Sequence, residues 1–219
     1  MADDTSHNKQ LVKKTAAPKK RTARQDTKGK ATRLRLLRAA AKVIAKHGYP
    51  GCTISRVTAE AKIAHGTFYF HFPSQQAMFD EILPSLGEEM LHEAAEALKG
   101  IDGFLELERR GVEFIFDHVT KYPYMYRLLT ESEAHAPVAF HRQMNSMLNA
   151  YVKSLTRSLH AEEITGYDED EMLVLATILL GARTYLMMKC RYDKSKDSDY
   201  FSSMTATYLK FIKYGVNAK

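Results

Sequence analysis

The sequence predicts an all-α protein, on three observations. Apolar residues recur at spacings of three and four along most of the 219 residues, as they do on the buried face of a helix. Glycine and proline interrupt these segments, and serine, threonine or aspartate precedes the next one, as at helix ends and helix starts. No segment alternates apolar and polar residues for long enough to be a β-strand, and no internal repeat is visible.

About nine helices are expected from this pattern. The first carries Leu34, Leu37, Ala41 and Ile44 on one face, with basic residues between them. The expected helices, in chain order, cover 32–46, 54–61 after a Thr53 cap, 65–70, a long segment from Ser74 with a kink at Pro84 and Gly87, a segment capped by Asp102, a short aromatic segment after Pro123, 137–160, 172–188 and 200–214.

Charge divides the chain into a basic first third and an acidic remainder. Residues 1–30 hold nine basic and three acidic side chains, and residues 31–79 hold seven and one, so each segment has a net charge of +6. Residues 80–219 hold sixteen basic and twenty-two acidic side chains. A modest overall charge therefore hides a first part that is suited to a polyanion such as nucleic acid.

Residues 1–30 are short of large apolar side chains, so we expect them to form a disordered basic arm. Two interpretations of this arm stay open: a solubilising tail, or an arm that contacts nucleic-acid phosphates and releases counterions. Deleting residues 2–28 tests the second, because the loss of phosphate contacts lowers DNA affinity and flattens its dependence on salt. An unchanged salt dependence refutes the phosphate-binding arm.

Several protein classes are disfavoured. Cys52 and Cys190 are too few for a disulfide framework and lie in no metal-ligand spacing, which favours a reducing compartment. The longest apolar run, Met172–Ala182, is expected to be too short to span a bilayer, so we expect a cytoplasmic protein with no membrane partner. Motifs of P-loop proteins, serine hydrolases, zinc proteases and dinucleotide-binding enzymes are absent, so we expect no enzyme activity, no cofactor and no metal site.

The first three helices match a helix-turn-helix unit. They occupy about 45 residues, with a short break at 62–64 before the third, an arrangement that lets the third helix enter the major groove of DNA. Ala64 and Gly66 are small and allow close approach to base edges, and the hydroxyl groups of Thr67 and Tyr69 can donate to phosphates.

Residues 66–72 read GTFYFHF and are followed by Pro73 and Ser74. This run, and the agreement from 32 to about 83, resembles the DNA-binding domain of the TetR (tetracycline repressor) family of bacterial transcription regulators. Three positions depart from the family pattern. Lys62 stands where glycine is usual, at a cost of about 1 kcal/mol if its φ is positive. Ala64 replaces a serine, and 75–76 are two glutamines in place of a lysine and an acidic residue.

The resemblance implies which positions meet DNA. Ala64, His65 and Gly66 would contact bases, and Thr67 and Tyr69 would contact the backbone. The complete expected set is Arg33, Thr53, Ala64, His65, Gly66, Thr67, Tyr69 and His71. Phe68 and Phe72 are expected to be core residues. His65 and His71, six positions apart, lie on different helix faces and are not expected to bind a metal.

For the C-terminal part, the resemblance implies a helical bundle that binds a small effector and dimerises through its last two helices. Aromatic and methionine side chains are concentrated there, and methionine fills adaptable apolar cavities. The expected ligand-binding residues are Phe114, His118, Tyr122, Tyr126, Met147, Tyr151, Arg183 and Tyr185.

The run 172–182 is apolar almost all round, more than one buried face requires, so a partner helix is expected to cover it. Paired with the helix over 200–214, it would form a four-helix interface between two copies. The expected interface residues are Leu173, Ala176, Leu180, Tyr208, Phe211 and Ile212. A core helix in a monomer is the alternative.

These observations predict a cytoplasmic, nucleoid-associated transcription regulator with three parts: a basic arm (1–30), a helix-turn-helix domain (31–76) and a ligand-binding and dimerisation domain (77–219). We expect a repressor that binds a palindromic operator as a homodimer and is released by a small, largely apolar effector. Two alternatives stay open: an architectural DNA-binding protein without an effector, and an all-α enzyme or carrier with a basic tail.

Overall fold

A computed structural model describes residues 23–192 and 198–215. Within these ranges the chain is helical and contains no β-strand, which confirms the all-α prediction. The helices are α1 (Ala23–His47), α2 (Ile54–Glu60), α3 (His65–Phe68), α4 (Gln75–Ala97), α5 (Phe104–Lys121), α6 (Tyr124–His135), α7 (Pro137–His160), α8 (Met172–Tyr192) and α9 (Ser198–Gly215), with one 3-10 turn at Glu169–Glu171.

The first helix begins earlier than the sequence analysis expects. It starts at Ala23, so the prediction of a disordered arm through residue 30 is wrong for 23–30. Extending an existing helix adds one backbone hydrogen bond per residue without the cost of a new nucleus. The Thr32 hydroxyl also donates to the Lys28 carbonyl at 3.0 Å, within this segment. Residues 1–22 of the predicted arm lie outside the described residues.

Two of the three predicted helix caps are confirmed. Thr53 accepts a hydrogen bond from the Arg56 amide, and Ser74 accepts one from the Ala77 amide. The predicted cap at Asp102 is wrong. The residue before α5 is Gly103, at φ 87°, and this left-handed backbone lets the chain turn into the helix.

An N-terminal head is formed by α1, α2, α3 and the first half of α4 around one core. Short helices cannot persist alone, so their large apolar side chains must meet in the centre. The fully buried side chains of this core include Leu36, Ile44, Tyr49, Val57, Phe68, Phe72, Met78 and Ile82. Because α4 belongs both to the head and to the bundle behind it, it connects the two.

Helix α6 supplies a second connection, at the end of α1. Arg127 Nη1 donates to the Ala45 carbonyl at 3.1 Å, and the Tyr49 amide donates to Glu131 at 3.1 Å. Burial alone would favour the neutral form of Glu131, but its hydrogen bonds from Arg127 and Tyr49 outweigh that effect and lower its pKa. The α1 terminus is therefore bonded to a charged pair on the bundle.

Helix α4 lies along α7 and approaches it closely at Gly87. A Cβ atom on Gly87 would lie 2.1 Å from the side-chain amide of Gln143, which is buried. We expect Gly87→Ala to lower the free energy of unfolding by about 1–3 kcal/mol, because overpacking displaces neighbours that cannot relax fully. Urea denaturation measures the change.

The matched control for this prediction is the double variant Gly87→Ala/Gln143→Ala, which removes the obstructing amide. It should be more stable than Gly87→Ala alone, since alanine is otherwise the better helix former. A Gly87→Ala protein as stable as the wild type would contradict the close packing of α4 on α7.

Candidate nucleic-acid interface and apolar cavity

The segment from α3 to the start of α4 is anchored by two phenylalanines and exposes its polar residues. Phe68 and Phe72 are fully buried in the head. Their burial turns the opposite side outward, where Tyr69 is 52% exposed and Phe70 is 82% exposed. Ala64, His65 and Gly66 are also exposed, and Thr67 is half-buried. The third helix is shorter than predicted, because it ends at Phe68 rather than at residue 70.

Phe70 is the residue of this surface that the sequence analysis missed. Its neighbours at 68 and 72 were expected in the core, and it lies between them in an aromatic run. An aromatic side chain left so exposed beside hydroxyl and imidazole groups is typical of a binding surface rather than of a core. The clue in the sequence was helical spacing: 68 and 72 share a face, whereas 70 lies on the other side.

The turn between α2 and α3 contains the backbone strain expected from the sequence. Lys62 has φ 53°, in the left-handed region, and its amide bonds to the Ala59 carbonyl at 3.1 Å. We expect Lys62→Gly to raise the free energy of unfolding by about 1 kcal/mol, because glycine has no Cβ to strain this conformation. Thermal unfolding measures the gain.

A lysine in ordinary helical backbone provides the control for this effect. Lys153 is exposed in the middle of α7, where glycine is expected to destabilise by about 1 kcal/mol. We therefore predict that Lys62→Gly raises the free energy of unfolding and that Lys153→Gly lowers it. Destabilisation in both variants would contradict the strain at Lys62.

Arg33 is held by contacts within the head. Its guanidinium forms an ion pair with Glu81 on α4, donates to the His71 carbonyl and lies over the Phe72 ring at 4.1 Å. A guanidinium with three such partners fastens the end of the recognition segment (residues 64–72) to α1 and α4. These contacts make Arg33 a positioning residue, and its contact with DNA stays a prediction.

The head also carries exposed cationic side chains. Thr53 is exposed at the start of α2, and His71 is half-buried at the other end of the surface. The basic side chains exposed on the described part of the head include Lys28, Lys30, Arg35, Arg56 and Lys62. With only one acidic residue between 31 and 79, this surface has the charge that a polyanion requires.

The bundle contains an apolar cavity of about 570 Å³ between α4, α5, α7 and α8. This volume lies in the range of small-molecule binding sites. Of the eight predicted ligand-binding residues, four line it: Phe114, Met147, Tyr151 and Arg183. The lining residues that the sequence analysis missed include Met90, Leu98, Leu107, Glu108, Ile115 and Leu180.

A buried polar network forms part of the cavity wall. Arg183 Nη2 lies 2.6 Å from Glu108 Oε2, and the Tyr208 hydroxyl donates to the same oxygen at 2.9 Å. Tyr151 donates to the other carboxylate oxygen, and its ring lies 4.6 Å from the Arg183 guanidinium. Burial opposes the charge of Arg183, but the Glu108 carboxylate outweighs burial and raises the pKa of the guanidinium.

Gly111 makes room for this network. A Cβ there would lie 3.2 Å from both Nη atoms of Arg183. The network joins α5, α7, α8 and α9 through one carboxylate, so the cavity wall is mechanically linked to the last two helices.

Cys52 and the histidines do not form a reactive or metal site. Cys52 is buried in the head, and burial raises the pKa of its thiol to about 12. Within 23–192 and 198–215, no group of three His, Cys, Asp or Glu side chains is arranged to hold a metal ion.

Comparison with known proteins agrees with this geometry. A family model described as "Bacterial regulatory proteins, tetR family" matches residues 36–82, the head just described. Residues 36–82 therefore match the DNA-binding domain of this family. The resemblance of residues 66–72 to the TetR family is thereby confirmed.

Three curated relatives illustrate the similarity of this chain to known helix-turn-helix regulators. It is 27% identical over 122 residues to the uncharacterized regulator YhgD of Bacillus subtilis, a match that covers 54% of this chain and 64% of YhgD. It is 22% identical to the transcriptional repressor NicS of Pseudomonas putida, over 68% of this chain and 71% of NicS. It is 24% identical to the uncharacterized regulator YdgC of B. subtilis, over 88% of this chain and 96% of YdgC.

Solved structures share the fold of this protein. The regulator FadR of B. subtilis, in complex with stearoyl-CoA, has a TM-score of 0.70 at 17% identity, over 84% of this chain and 98% of FadR. A putative fatty acid metabolism regulator of Clostridium perfringens has a TM-score of 0.66 at 18% identity, over 84% of this chain and 100% of that regulator. The bundle therefore has the TetR arrangement behind the head.

The other four predicted ligand residues lie away from the cavity. His118 is buried against Phe114 and Tyr122 with Nδ1 3.4 Å from Glu93, and burial lowers its pKa. Tyr122 packs against the head core. The cavity adjoins the first part of α5, whereas His118, Tyr122 and Tyr126 lie at or beyond its other end. Tyr185 is 76% exposed on the outside of α8.

The structure separates the predicted dimer residues into buried and exposed ones. A second core is formed by apolar side chains of α5, α7, α8 and α9, and Ala176, Tyr208 and Ile212 are buried in it. Leu180 is half-buried and lines the cavity, while Leu173 and Phe211 are exposed as expected. Among the described side chains of these two helices, the large apolar ones that are exposed are Leu173, Val174, Ile178, Tyr185, Tyr200, Phe211 and Tyr214.

The longer segment that contains the apolar run of α8 passes a length test for a membrane span. By length and composition alone Glu169–Lys189 is apolar enough to cross a membrane, the single such helix among the described residues. The uninterrupted apolar run 172–182 is only part of this segment, so the expectation that the run itself is too short for a bilayer is not contradicted. Exposed apolar side chains on this helix are typical of an interaction surface.

Proposed function

We propose that this TetR-family regulator is a repressor that binds a palindromic operator as a homodimer and is released by a small effector in its apolar cavity. The observation that carries the proposal is the recognition segment, with two buried phenylalanines on one side and exposed hydroxyl, imidazole and small residues on the other, on a positively charged head. We retain 31–76 as the DNA-binding domain and 77–219 as the effector and dimerisation domain.

In this proposal the start of α3 contacts base edges and its end contacts phosphates. Ala64, His65 and Gly66 are small or hydrogen-bonding and admit close approach in the major groove. The hydroxyl groups of Thr67 and Tyr69 donate to phosphate oxygens and fix the register of the helix on the duplex. Thr53 and His71 are assigned to backbone contacts on either side, and Arg33 holds the segment in place.

The exposed apolar face of α8 and α9 is assigned to a second copy of the chain. Two copies joined there form a four-helix interface, which removes Val174, Ile178 and Phe211 from water. The two recognition helices must then lie about 34–36 Å apart to meet successive major grooves. A dimer interface between two copies in water accounts for the apolar composition of α8 without a membrane. Because the proposed partner is DNA, we propose that the protein acts in the cytoplasm, at the nucleoid.

Release follows from the position of the cavity. Its walls include α4, which continues into the head, and an effector that prefers a different α4 position shifts the population away from the DNA-competent spacing. The α6 contacts with Ala45 and Tyr49 transmit the same movement to α1. The cavity thus supports an effector-responsive regulator over an architectural DNA-binding protein. Since FadR binds stearoyl-CoA, an acyl chain is our first candidate occupant.

The experiment is a capture of genomic fragments by the full chain, followed by mobility-shift titration of the retained duplex at two salt concentrations. We expect binding of a short palindrome that weakens steeply with salt and is released by apolar ligands. Binding without sequence preference would favour the architectural alternative, and no binding to duplex DNA at low salt would contradict the proposal.

A further inference from the structure

The side chains that line the cavity carry no net charge. Among the described residues that line it, three are basic and three are acidic: Lys99, Arg157 and Arg183, and Asp102, Glu108 and Glu163. Histidine is not among these lining residues. The remaining lining is mostly apolar, so a bound molecule meets wall charges that sum to zero.

The inner charges are already paired. Arg183 uses Nη2 for Glu108 and Nε for Tyr208, and both oxygens of Glu108 accept hydrogen bonds. A ligand carboxylate placed there would lie beside the Glu108 carboxylate, and a ligand cation would lie beside Arg183. Either arrangement buries an uncompensated charge, which is strongly unfavourable at a site withdrawn from water.

In this network the Nη1 group of Arg183 can still donate a hydrogen bond to an uncharged acceptor of a ligand. Arg183 Nη1 lies beside Gly111, and both residues belong to the cavity lining. A carbonyl oxygen can accept a hydrogen bond there without adding a charge. At the outer end, Lys99 and Arg157 are offset by Asp102 and Glu163, so the rim lacks the surplus of positive charge that a polyanionic head such as coenzyme A requires.

We propose that the effector is an uncharged apolar molecule with a carbonyl-type oxygen. Arg183 donates a hydrogen bond to that oxygen, while the negative charge of Glu108 excludes ligands that carry a carboxylate. This inference rests on the proposed function of the cavity as the effector site. It narrows the class of ligand from acyl compounds in general to neutral ones, such as amides or esters.

The test uses three ten-carbon probes that differ mainly in head charge: decanamide, decanoate and decylammonium. Each displaces the neutral dye Nile red from the full chain, and the concentration for half displacement is measured at pH 7.5. We expect decanamide to displace the dye at a concentration about tenfold lower than either charged probe, since a tenfold ratio corresponds to about 1.4 kcal/mol.

Two variants separate charge recognition from general hydrophobicity. Glu108→Gln removes the excluding carboxylate and should reverse the order, so that decanoate binds more tightly than decanamide. Because this variant disturbs a buried pair, Glu163→Gln at the half-buried rim provides a milder change that leaves the network intact. It should narrow the difference between the half-displacement concentrations of decanoate and decanamide, and an unchanged difference would contradict charge selection by the cavity wall.

The outcomes distinguish this inference from the proposed function. Met147→Trp fills the cavity and should abolish dye binding; no dye binding by the wild type, or no effect of this variant, would contradict the effector site itself. Dye binding that depends on Met147, with decanoate displacing as well as decanamide, would overturn the inference and leave the effector site standing.

Discussion

The double variant Thr67→Ala/Tyr69→Phe is expected to bind the operator at least about a hundredfold more weakly than the wild type. It removes two hydroxyl donors from each recognition segment, and hydrogen bonds to charged phosphate oxygens are stronger than those between neutral groups. Because no cation is lost, the slope of affinity against salt concentration should stay the same. Fluorescence anisotropy of a labelled operator duplex at several salt concentrations measures both quantities.

The matched control makes the same chemical changes outside the recognition segment. Thr120 on α5 is exposed, and Tyr167 is half-buried beyond α7. The variant Thr120→Ala/Tyr167→Phe should retain wild-type affinity. Equal affinity of the Thr67/Tyr69 variant and this control would show that the hydroxyl groups of the recognition segment do not contact DNA.

Replacing Glu108 by alanine is expected to lower the free energy of unfolding by about 3–5 kcal/mol. The change leaves the Arg183 guanidinium buried with its carboxylate partner gone, and it removes the acceptor of two tyrosine hydroxyls. A loss of this size is a large part of the total stability of a domain. Urea denaturation at fixed protein concentration measures it, since a dimer's stability depends on concentration.

A compensating variant tests the reason for this loss. Glu108→Leu/Arg183→Met replaces both charges by apolar side chains of similar reach and should recover much of the lost stability, because no unpaired charge remains. A Glu108→Ala protein within about 1 kcal/mol of the wild type would mean that the pair is not buried as described.

Local features of the fold were predictable because they depend on neighbouring residues. Thr53 and Ser74 act as caps through amides three positions along the chain, and Lys62 has the positive φ expected at a turn position usually held by glycine. The burial of Phe68 and Phe72 follows from helical spacing within the family motif. The exposure of this segment was therefore foreseen, apart from Phe70 and the contacts of Arg33 within the head.

The cavity and the exposed apolar face of α8 and α9 were only partly predictable because they depend on distant contacts. Glu108 lies among charged residues of α5, a composition typical of a solvated face, yet its partners lie on α7, α8 and α9. Helix α8 is apolar on every side, so its sequence cannot indicate that Ala176 faces inward and Ile178 outward. Packing against α5, α7 and α9 decides both.

The central claim is that the polar side of α3 lies against duplex DNA. The most direct measurement places the photo-crosslinker p-benzoylphenylalanine at position 69, or at position 167 as the control, and irradiates the full chain bound to its operator. We predict a covalent protein–DNA adduct from position 69 and none from position 167. No adduct from position 69 under conditions where the duplex is fully bound, or equal adducts from both positions, would contradict the account.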